Sequence, residues 1–130
     1  MSFFERYFAA LDGPQPHSAL DLVSDDVEFV IEWASGSDRK ATQLRGGKDE
    51  LRASIDAGGD MAGWAHYLLR SERDGDMEFA LGETRHDDGS FIGTFLAVGH
   101  LDADDRLIRY MVARSPAIRF PKAPADARAT

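Results

Sequence analysis

The stretch WAHYLLRSERDGDMEFALGETRH, residues 64–86, decides the fold class of this chain. Two runs rich in aromatic and aliphatic residues, 64–73 and 77–86, flank the turn sequence Asp74-Gly75-Asp76. A glycine between two acidic residues provides the positive φ that a tight turn between antiparallel strands requires. The stretch therefore predicts a β-hairpin.

Strand signals continue on both sides of this hairpin. Toward the C-terminus, residues 90–101 and 106–115 predict two more strands, which extend the hairpin into an antiparallel meander. Toward the N-terminus, residues 27–33 show the period of two that is typical of a strand with one buried face. Asp25-Asp26 predicts a turn before this strand, and residues 34–44 predict a polar loop after it.

Three helices are predicted in the first half of the chain. Five apolar residues recur at spacings of three and four, which gives one apolar stripe on a first helix. These residues are Phe3, Phe4, Tyr7, Phe8 and Leu11. Gly13-Pro14 ends this helix, a second short helix is predicted over residues 17–24, and a third over residues 48–57.

This order of elements predicts an α+β domain. Helices are grouped toward one end of the chain and strands toward the other, so the helices can cover one face of an antiparallel sheet. We expect a curved antiparallel sheet of four to five strands packed on three N-terminal helices. Residues 1–116 form the predicted single domain, and residues 117–130, rich in Ala and Pro, are predicted to be a flexible tail.

Charge and composition argue against several classes of function. The 130 residues carry a net charge of −8 and contain no cysteine. A negative surface repels phosphate backbones and anionic bilayers, so we expect neither nucleic-acid nor membrane partners. The lack of cysteine excludes disulfides, thiolate metal sites and cysteine nucleophiles. No apolar run approaches the roughly 18 residues that span a bilayer, and no leader pattern begins the chain, so we expect a cytoplasmic protein.

Motifs for cofactors and metals are also missing from the sequence. The His, Asp and Glu residues do not have the spacing of a known ligand set. There is no Gly-x-Ser-x-Gly motif, phosphate-cradling loop or dinucleotide fingerprint. We therefore expect a protein that works without a cofactor or a metal ion.

Four short motifs, in this order, resemble those of the nuclear transport factor 2-like superfamily and, within it, the SnoaL-like group. They are RYFAAL at 6–11, VSDDV at 23–27, RGGK at 45–48 and DDRLI at 104–108. The resemblance covers residues 3–116 and implies a cone-shaped domain around an internal pocket. It implies a pocket for a small molecule more strongly than any one reaction, because the superfamily includes isomerases, dehydratases, cyclases and non-catalytic binding proteins.

The resemblance also implies where catalytic groups of related enzymes fall on this chain. Tyr7 matches the tyrosine with which ketosteroid isomerase donates a hydrogen bond to an oxyanion. The general base of that enzyme falls at Ile31 and its second acid near Ala97, while the acid of the SnoaL-type cyclases falls at Val112. Glu32 is next to the first of these positions, but alternation directs it to the other face of its strand. None of the three matching positions has a carboxyl group.

Two side chains remain as candidates for acid/base chemistry. His66 opens a predicted strand at a point where many SnoaL-like proteins have a histidine that lines the cavity. Glu83 continues the alternating apolar face of Met77 and its neighbours, and desolvation there would raise the pKa of the carboxyl group. Together with Tyr7 they form the predicted catalytic set. The predicted ligand-binding residues are Trp33, Tyr67, Arg85, His100 and Tyr110.

The sequence leaves three functions open. The first is a cofactor-independent isomerase, cyclase or dehydratase that acts on a hydrophobic, polyketide-like or steroid-like compound by proton transfer. The second is a non-catalytic binding protein for a lipophilic metabolite, and the third is a protein-interaction module that uses the sheet. The strand at residues 90–101 is apolar on both faces, which predicts that a second copy covers the outer side of the sheet in a homodimer.

Overall fold

A computed structural model of the chain describes residues 1–33, 42–58 and 63–120. The helices in these ranges are α1 (Phe3–Asp12), the 3₁₀ helix α2 (Pro16–Leu22) and α3 (Lys48–Gly58). The strands are β1 (Val23–Trp33), β2 (Thr42–Gly46), β3 (Trp64–Asp74), β4 (Met77–His86), β5 (Phe91–Leu101) and β6 (Leu107–Ser115). None of the described helices is long and apolar enough to cross a membrane.

The described strands form one sheet in the order β2-β1-β6-β5-β4-β3. Neighbouring strands are antiparallel, except that β1 and β6 run parallel. The turn between β3 and β4 passes through Gly75, whose φ of +62° confirms the hairpin that the sequence predicts. The pairing of β4 with β5 and of β5 with β6 confirms the rest of the predicted meander.

The two faces of the sheet have different surroundings. The inner face packs against α1, where the ring centroid of Phe4 lies 5.8 Å from that of Tyr110 and the ring centroid of Phe8 lies 5.1 Å from that of Phe95. The outer face has the side chains that alternate with these, and its apolar members include Met77, Phe79, Leu81, Leu96, Val98 and Met111. The main hydrophobic core therefore lies between the inner face and the helices.

Helix α1 is attached to β4 by a buried carboxylate. Glu78 lies on the inner face, and its two oxygens accept hydrogen bonds from the backbone N–H groups of Phe3 at 3.2 Å and Phe4 at 2.8 Å. The first N–H groups of a helix have no acceptor within the helix, and the helix dipole favours a negative charge there. Glu78 therefore both caps α1 and fixes its N-terminus against the sheet.

A glycine in β4 allows close packing on the inner face. A Cβ atom at Gly82 would lie 2.5 Å from the carbonyl oxygen of Tyr67 and would overlap the ring of Phe95. Because this position has no side chain, the ring of Phe95 lies directly over β4, with its centroid 5.5 Å from that of His66. The packing of these two rings depends on Gly82.

Two predicted boundaries in the first half of the chain are wrong. Asp25-Asp26 does not form a turn but lies within β1, whose pairing with β6 contains a register shift that accommodates the extra residues. Of the predicted loop at 34–44, residues 42–44 belong to β2, and residues 34–41 lie outside the described ranges. The sheet consequently has six strands instead of four to five.

The chain beyond β6 returns to the outer face of the sheet. The hydroxyl of Thr94 donates to the carbonyl oxygen of Ile118 at 2.6 Å, and Arg119 Nη2 lies 2.7 Å from Glu83 Oε1. Ile118 and Arg119 of the predicted tail are therefore in contact with the sheet. Residues 121–130 of the predicted tail lie outside the described ranges.

Candidate functional site

Polar and ionisable side chains form two clusters, one on each face of the sheet. The inner cluster lies between the inner face and α1, and its members are Tyr7, Asp12, Trp64, His66, Tyr110 and Arg114. The outer cluster lies on the outer face, and its members are Tyr67, Glu83, Arg85 and Arg119. Side chains alternate between the two faces along β3, so the neighbours His66 and Tyr67 point to opposite sides of the sheet. His66 pairs with Thr84 on the inner face, and Tyr67 pairs with Glu83 on the outer face.

Asp12 and His66 form a dyad where the end of α1 meets β3. Asp12 Oδ2 accepts a hydrogen bond from the backbone N–H of His66 at 2.7 Å, and Asp12 Oδ1 lies 2.9 Å from His66 Nδ1. The backbone contact positions the carboxylate, and the side-chain contact then positions the imidazole. The dyad is thus held at two points.

Arg114, on β6, fixes the tautomer of His66. Its Nη2 atom lies 3.2 Å from His66 Nε2. A guanidinium group has only donors, and an ionised carboxylate has only acceptors. His66 therefore has its proton on Nδ1, which donates to Asp12, and a lone pair on Nε2. In this form the lone pair on Nε2 accepts the hydrogen bond from Arg114, and Nε2 can take up a proton only when that donor turns away.

Aromatic rings enclose His66. Its side chain is 4% exposed, and its ring centroid lies 4.4 Å from that of Phe8 and 5.0 Å from that of Trp64. Desolvation by burial lowers the pKa of His66, the hydrogen bond and charge of Asp12 raise it, and the charge of Arg114 lowers it. The pKa consequently lies below its ordinary value of 6.5, so the imidazole is neutral at neutral pH.

Two buried tyrosines complete the inner cluster. The ring centroids of Tyr7 on α1 and Tyr110 on β6 lie 5.5 Å apart in an edge arrangement. Burial raises the pKa of both phenols, and the charge of Arg114 offsets this only in part. Both hydroxyl groups therefore keep their protons at neutral pH and are available as hydrogen-bond donors.

The three positions that the resemblance matches to carboxyl groups of related enzymes lie side by side on the inner face. The register pairs Ile31 of β1 with Val112 of β6, and Val112 with Ala97 of β5. Glu32 pairs with Ala113 on the outer face, as alternation predicts. The side chains of Ile31, Ala97 and Val112 are all aliphatic, so none of them can transfer a proton.

The outer cluster is a buried ionic network. Glu83 is 0% exposed, and its Oε1 atom accepts hydrogen bonds from Arg85 Nε at 2.6 Å and Arg119 Nη2 at 2.7 Å. The guanidinium carbons of Arg85 and Arg119 lie 4.6 Å and 4.7 Å from the ring centroids of Tyr67 and Phe91, respectively. Burial alone would raise the pKa of Glu83, but the hydrogen bonds from Arg119 and Arg85 outweigh it and hold the pKa below its ordinary value. Glu83 is therefore an ion-paired carboxylate.

The predicted catalytic set does not converge on one site. Tyr7 and His66 lie in the inner cluster, and Glu83 lies across the sheet from them in the outer cluster. The period of two correctly places Glu83 on one face with Met77, but this face points away from the helices. A joint action of Glu83 and His66 on one small molecule is thus excluded by the geometry.

The predicted ligand-binding residues are also divided between the two faces. Tyr110 lies in the inner cluster, and Trp33 lies at the end of β1, opposite Arg114 in the register. Tyr67 and Arg85 lie in the outer cluster. His100 is on the outer face, where its Nε2 atom lies 2.8 Å from Asp76 Oδ2 and where it lines a groove of about 680 Å³.

Sequence reasoning does not single out two members of the inner cluster, Asp12 and Arg114. Arg114 follows Tyr110 and Val112 at a period of two, so its place on the inner face could have been found by extending that period. Asp12 has no such signal, because its partner His66 is 54 residues away in the chain. Within the described ranges, no group of three or more His, Asp or Glu side chains is placed to hold a metal ion.

Comparison with solved structures finds the same fold in bacterial proteins of low sequence identity. A candidate isomerase of the SnoaL-like family from Agrobacterium tumefaciens has a TM-score of 0.67 at 14% identity, with 86% of this chain and 93% of that one covered. A candidate polyketide cyclase from Sinorhizobium meliloti has a TM-score of 0.60 at 17% identity, with 85% and 92% covered. A nuclear transport factor 2-like protein from Mesorhizobium loti has a TM-score of 0.63 at 14% identity, with 86% and 87% covered. No protein-family model and no curated protein matches the sequence.

Proposed function

We propose that this chain, which has the α+β fold of the nuclear transport factor 2-like superfamily with its SnoaL-like members, is an enzyme that moves a proton on a hydrophobic carbonyl compound without a cofactor. The reaction is an isomerisation or a dehydration. The observation that carries the proposal is the dyad of Asp12 and His66, in which a buried, neutral imidazole has one fixed tautomer. A base of this kind suits proton abstraction near neutral pH.

His66 acts as the base. When the substrate binds, the guanidinium of Arg114 turns from Nε2 toward the substrate oxygen and frees the Nε2 lone pair. Nε2 then takes a proton from the carbon next to the substrate carbonyl, and the electron pair of that C–H bond forms an enolate. Asp12 keeps the imidazole in its orientation and stabilises the imidazolium. The imidazolium then returns the proton to another carbon, which completes an isomerisation, or to a hydroxyl group that leaves as water, which completes a dehydration. Either outcome regenerates neutral His66.

Tyr7 and Arg114 support the charge changes. The neutral phenol of Tyr7 donates a hydrogen bond to the oxygen on which the enolate charge develops, and fixed donors in apolar surroundings stabilise such charge strongly. The positive charge of Arg114 attracts the same oxygen. It also opposes a second positive charge on His66, which favours return of the proton to the substrate.

The pH dependence of kcat/KM is expected to follow the neutral form of His66. Because its pKa lies below 6.5, the acidic limb of the rate is expected to be centred below pH 6.5, and the rate to reach a plateau at higher pH. Asp12→Asn removes the group that raises this pKa, so the acidic limb is expected to move to a still lower pH while the plateau falls. A pH series of initial rates for both proteins checks this, and a limb centred above pH 6.5 in the wild type would contradict it.

Isotope exchange tests the proton transfer itself. The protein is incubated in D₂O with a panel of enones, steroids and naphthol-like ketones, and the mass of each compound is followed. We expect deuterium to appear next to the carbonyl group of at least one compound and to be absent with His66→Asn. If no compound exchanges although one is bound in native mass spectrometry, the enzyme proposal fails.

A non-catalytic binding protein for a lipophilic metabolite is the second candidate. The aliphatic row of Ile31, Ala97 and Val112 favours it, because these residues extend the apolar wall where related enzymes are implied to have acids. Native mass spectrometry of the protein purified from its own host distinguishes the two. A compound that is released chemically unchanged, and that His66→Asn binds equally well, supports binding alone.

We further propose that two copies associate through the outer face. Phe79, Leu96 and Met111 are 41%, 53% and 52% exposed on neighbouring strands of that face. Glu28 and Arg109, of opposite charge, lie beside them, so that a two-fold related copy can pair both signs. Light scattering is expected to give twice the chain mass of 14.3 kDa, and Leu96→Glu is expected to give the monomer mass. A monomeric wild type would contradict the proposal.

A further inference from the structure

We infer that the compound bound at the inner cluster carries a carboxylate group, which Trp64 and Arg114 hold. The inference rests on the proposed function in one respect, namely that the inner cluster binds a small molecule. It goes further by naming the chemical class of that molecule, a flat hydrophobic carboxylic acid.

Two buried donors of the inner cluster have no hydrogen-bond partner among the described residues. They are the indole Nε1–H of Trp64 and the guanidinium Nε–H of Arg114. Buried donors in folded proteins are almost always paired, and a buried donor without a partner destabilises the fold. In the described part of the chain, the same state is found for one other side-chain atom, Arg85 Nη2 on the outer face. A hydrogen-bond acceptor on a bound ligand would explain why two of these three unpaired donors, those of Trp64 and Arg114, lie in one cluster.

The two donors belong to side chains that are in contact. The guanidinium carbon of Arg114 lies 5.5 Å from the ring centroid of Trp64. The indole in turn lies beside His66, at 5.0 Å between ring centroids. A carboxylate has two oxygens, each with lone pairs to accept a hydrogen bond, so one group can satisfy both donors and remain next to the dyad.

Charge favours a carboxylate over a neutral acceptor. Arg114 contacts the imidazole of His66 and the ring of Trp64, and among the described residues it forms no ion pair. Arg85 and Arg119 on the other face, by contrast, share Glu83. Burial lowers the pKa of Arg114, which means that its environment penalises the positive charge. An anionic ligand removes this penalty, since a buried charge is tolerated when it is paired.

The neighbouring side chains define the rest of the ligand. Phe8, Trp64 and Phe95 surround the dyad with aromatic rings, all within 5.5 Å of the His66 ring centroid. Flat apolar groups pack well against such rings. The carboxylate therefore belongs to a molecule with an aromatic or polycyclic body.

Calorimetric titration with matched pairs of probes tests the inference. The probes are benzoate with benzamide and 2-naphthoate with 2-naphthamide, which differ in charge but hardly in shape. The wild type is expected to bind at least one acid about tenfold more tightly than its amide, as charge-assisted hydrogen bonds allow. Trp64→Phe, which removes the indole N–H but keeps a ring, is expected to reduce this ratio several-fold, and Arg114→Gln is expected to abolish it.

Two further variants serve as controls. Arg52→Gln changes an exposed arginine of α3, and His17→Asn changes an exposed histidine of α2. Both variants are expected to keep the acid-to-amide ratio of the wild type. Circular dichroism confirms that each variant is folded, and Trp64→Phe decides the outcome if Arg114→Gln does not fold.

The possible outcomes separate this inference from the proposed function. Equal affinity for acid and amide, or no binding of either acid at millimolar concentration, overturns the inference even if isotope exchange occurs. If Trp64→Phe lowers the acid-to-amide affinity ratio but no compound exchanges deuterium, the carboxylate site is supported and the proposal of an enzyme fails. A ratio that Trp64→Phe leaves unchanged also overturns the inference.

Discussion

Replacing His66 by asparagine is expected to lower kcat for proton transfer by a factor of about 10²–10⁴, because a positioned general base contributes this much. Asparagine keeps an N–H group near the position from which His66 Nδ1 donates to Asp12, so the carboxylate retains a partner. The new side chain has no nitrogen lone pair at the position of Nε2. The loss of rate therefore measures the proton acceptor itself, by initial rates of turnover or of isotope exchange.

A second histidine provides the matched control. His17 also pairs with an aspartate, Asp56, but both side chains are more than half exposed and lie away from the inner cluster. His17→Asn is expected to retain the wild-type rate. If His66→Asn were folded and as active as His17→Asn, the dyad would not be the base.

Replacing Glu83 by glutamine is expected to produce the largest loss of stability. The change leaves Arg85 and Arg119 without the carboxylate that both contact, and removing one partner of a buried ion pair lowers the free energy of unfolding by about 3 kcal/mol. Tm is expected to fall by roughly 10 °C. Urea denaturation and thermal unfolding measure both quantities. The rate per folded molecule is expected to be retained, because Glu83 lies across the sheet from the dyad.

An exposed ion pair outside the proposed dimer interface serves as the control for Glu83. Asp105 Oδ1, in the turn before β6, lies 2.9 Å from Arg73 Nη2, and both side chains are largely exposed, so Asp105→Asn is expected to change the free energy of unfolding by less than about 1 kcal/mol. A Glu83→Gln variant that was as stable as Asp105→Asn but inactive would instead identify Glu83 as the catalytic acid.

The stability difference at Glu83 has a defined pH dependence. Because the folded protein holds the pKa of Glu83 below 4.5, the stabilisation is fully present above pH 4.5. It is lost as the pH falls through the lower pKa of the folded state. The wild type and Glu83→Gln are therefore expected to become more similar in stability at low pH.

Most of the fold could be predicted because its signals are local. The hairpin around Gly75 and the apolar stripe that contains Tyr7 each arise from residues close together in the chain, and the structure confirms both. Strand β2 has no comparable signal. Three of its five residues, Thr42–Gly46, are exposed and only Leu44 has a large apolar side chain, so the sequence resembles a loop.

The site could be predicted only in part, for two physical reasons. A period of two shows which residues share a face, but Phe79 and Ala80 are both apolar, so the pattern does not show which face the helices cover. Alternation alone therefore predicts Glu83 in the pocket. The second reason is distance along the chain, since His66 is joined to Asp12 and Arg114 across 54 and 48 residues.

Hydrogen bonds attach helix α1 to the sheet at both of its ends. Glu78 holds the backbone at its N-terminus, and Asp12 at its C-terminus holds the backbone of β3. Because α1 is attached at both ends, it can move away from the sheet only if both sets of hydrogen bonds break. We therefore expect the wall that Tyr7 and Phe8 present to stay in place when a ligand binds at the proposed site. A slim planar molecule is then expected to fit beside this wall, and a bulky one to be rejected.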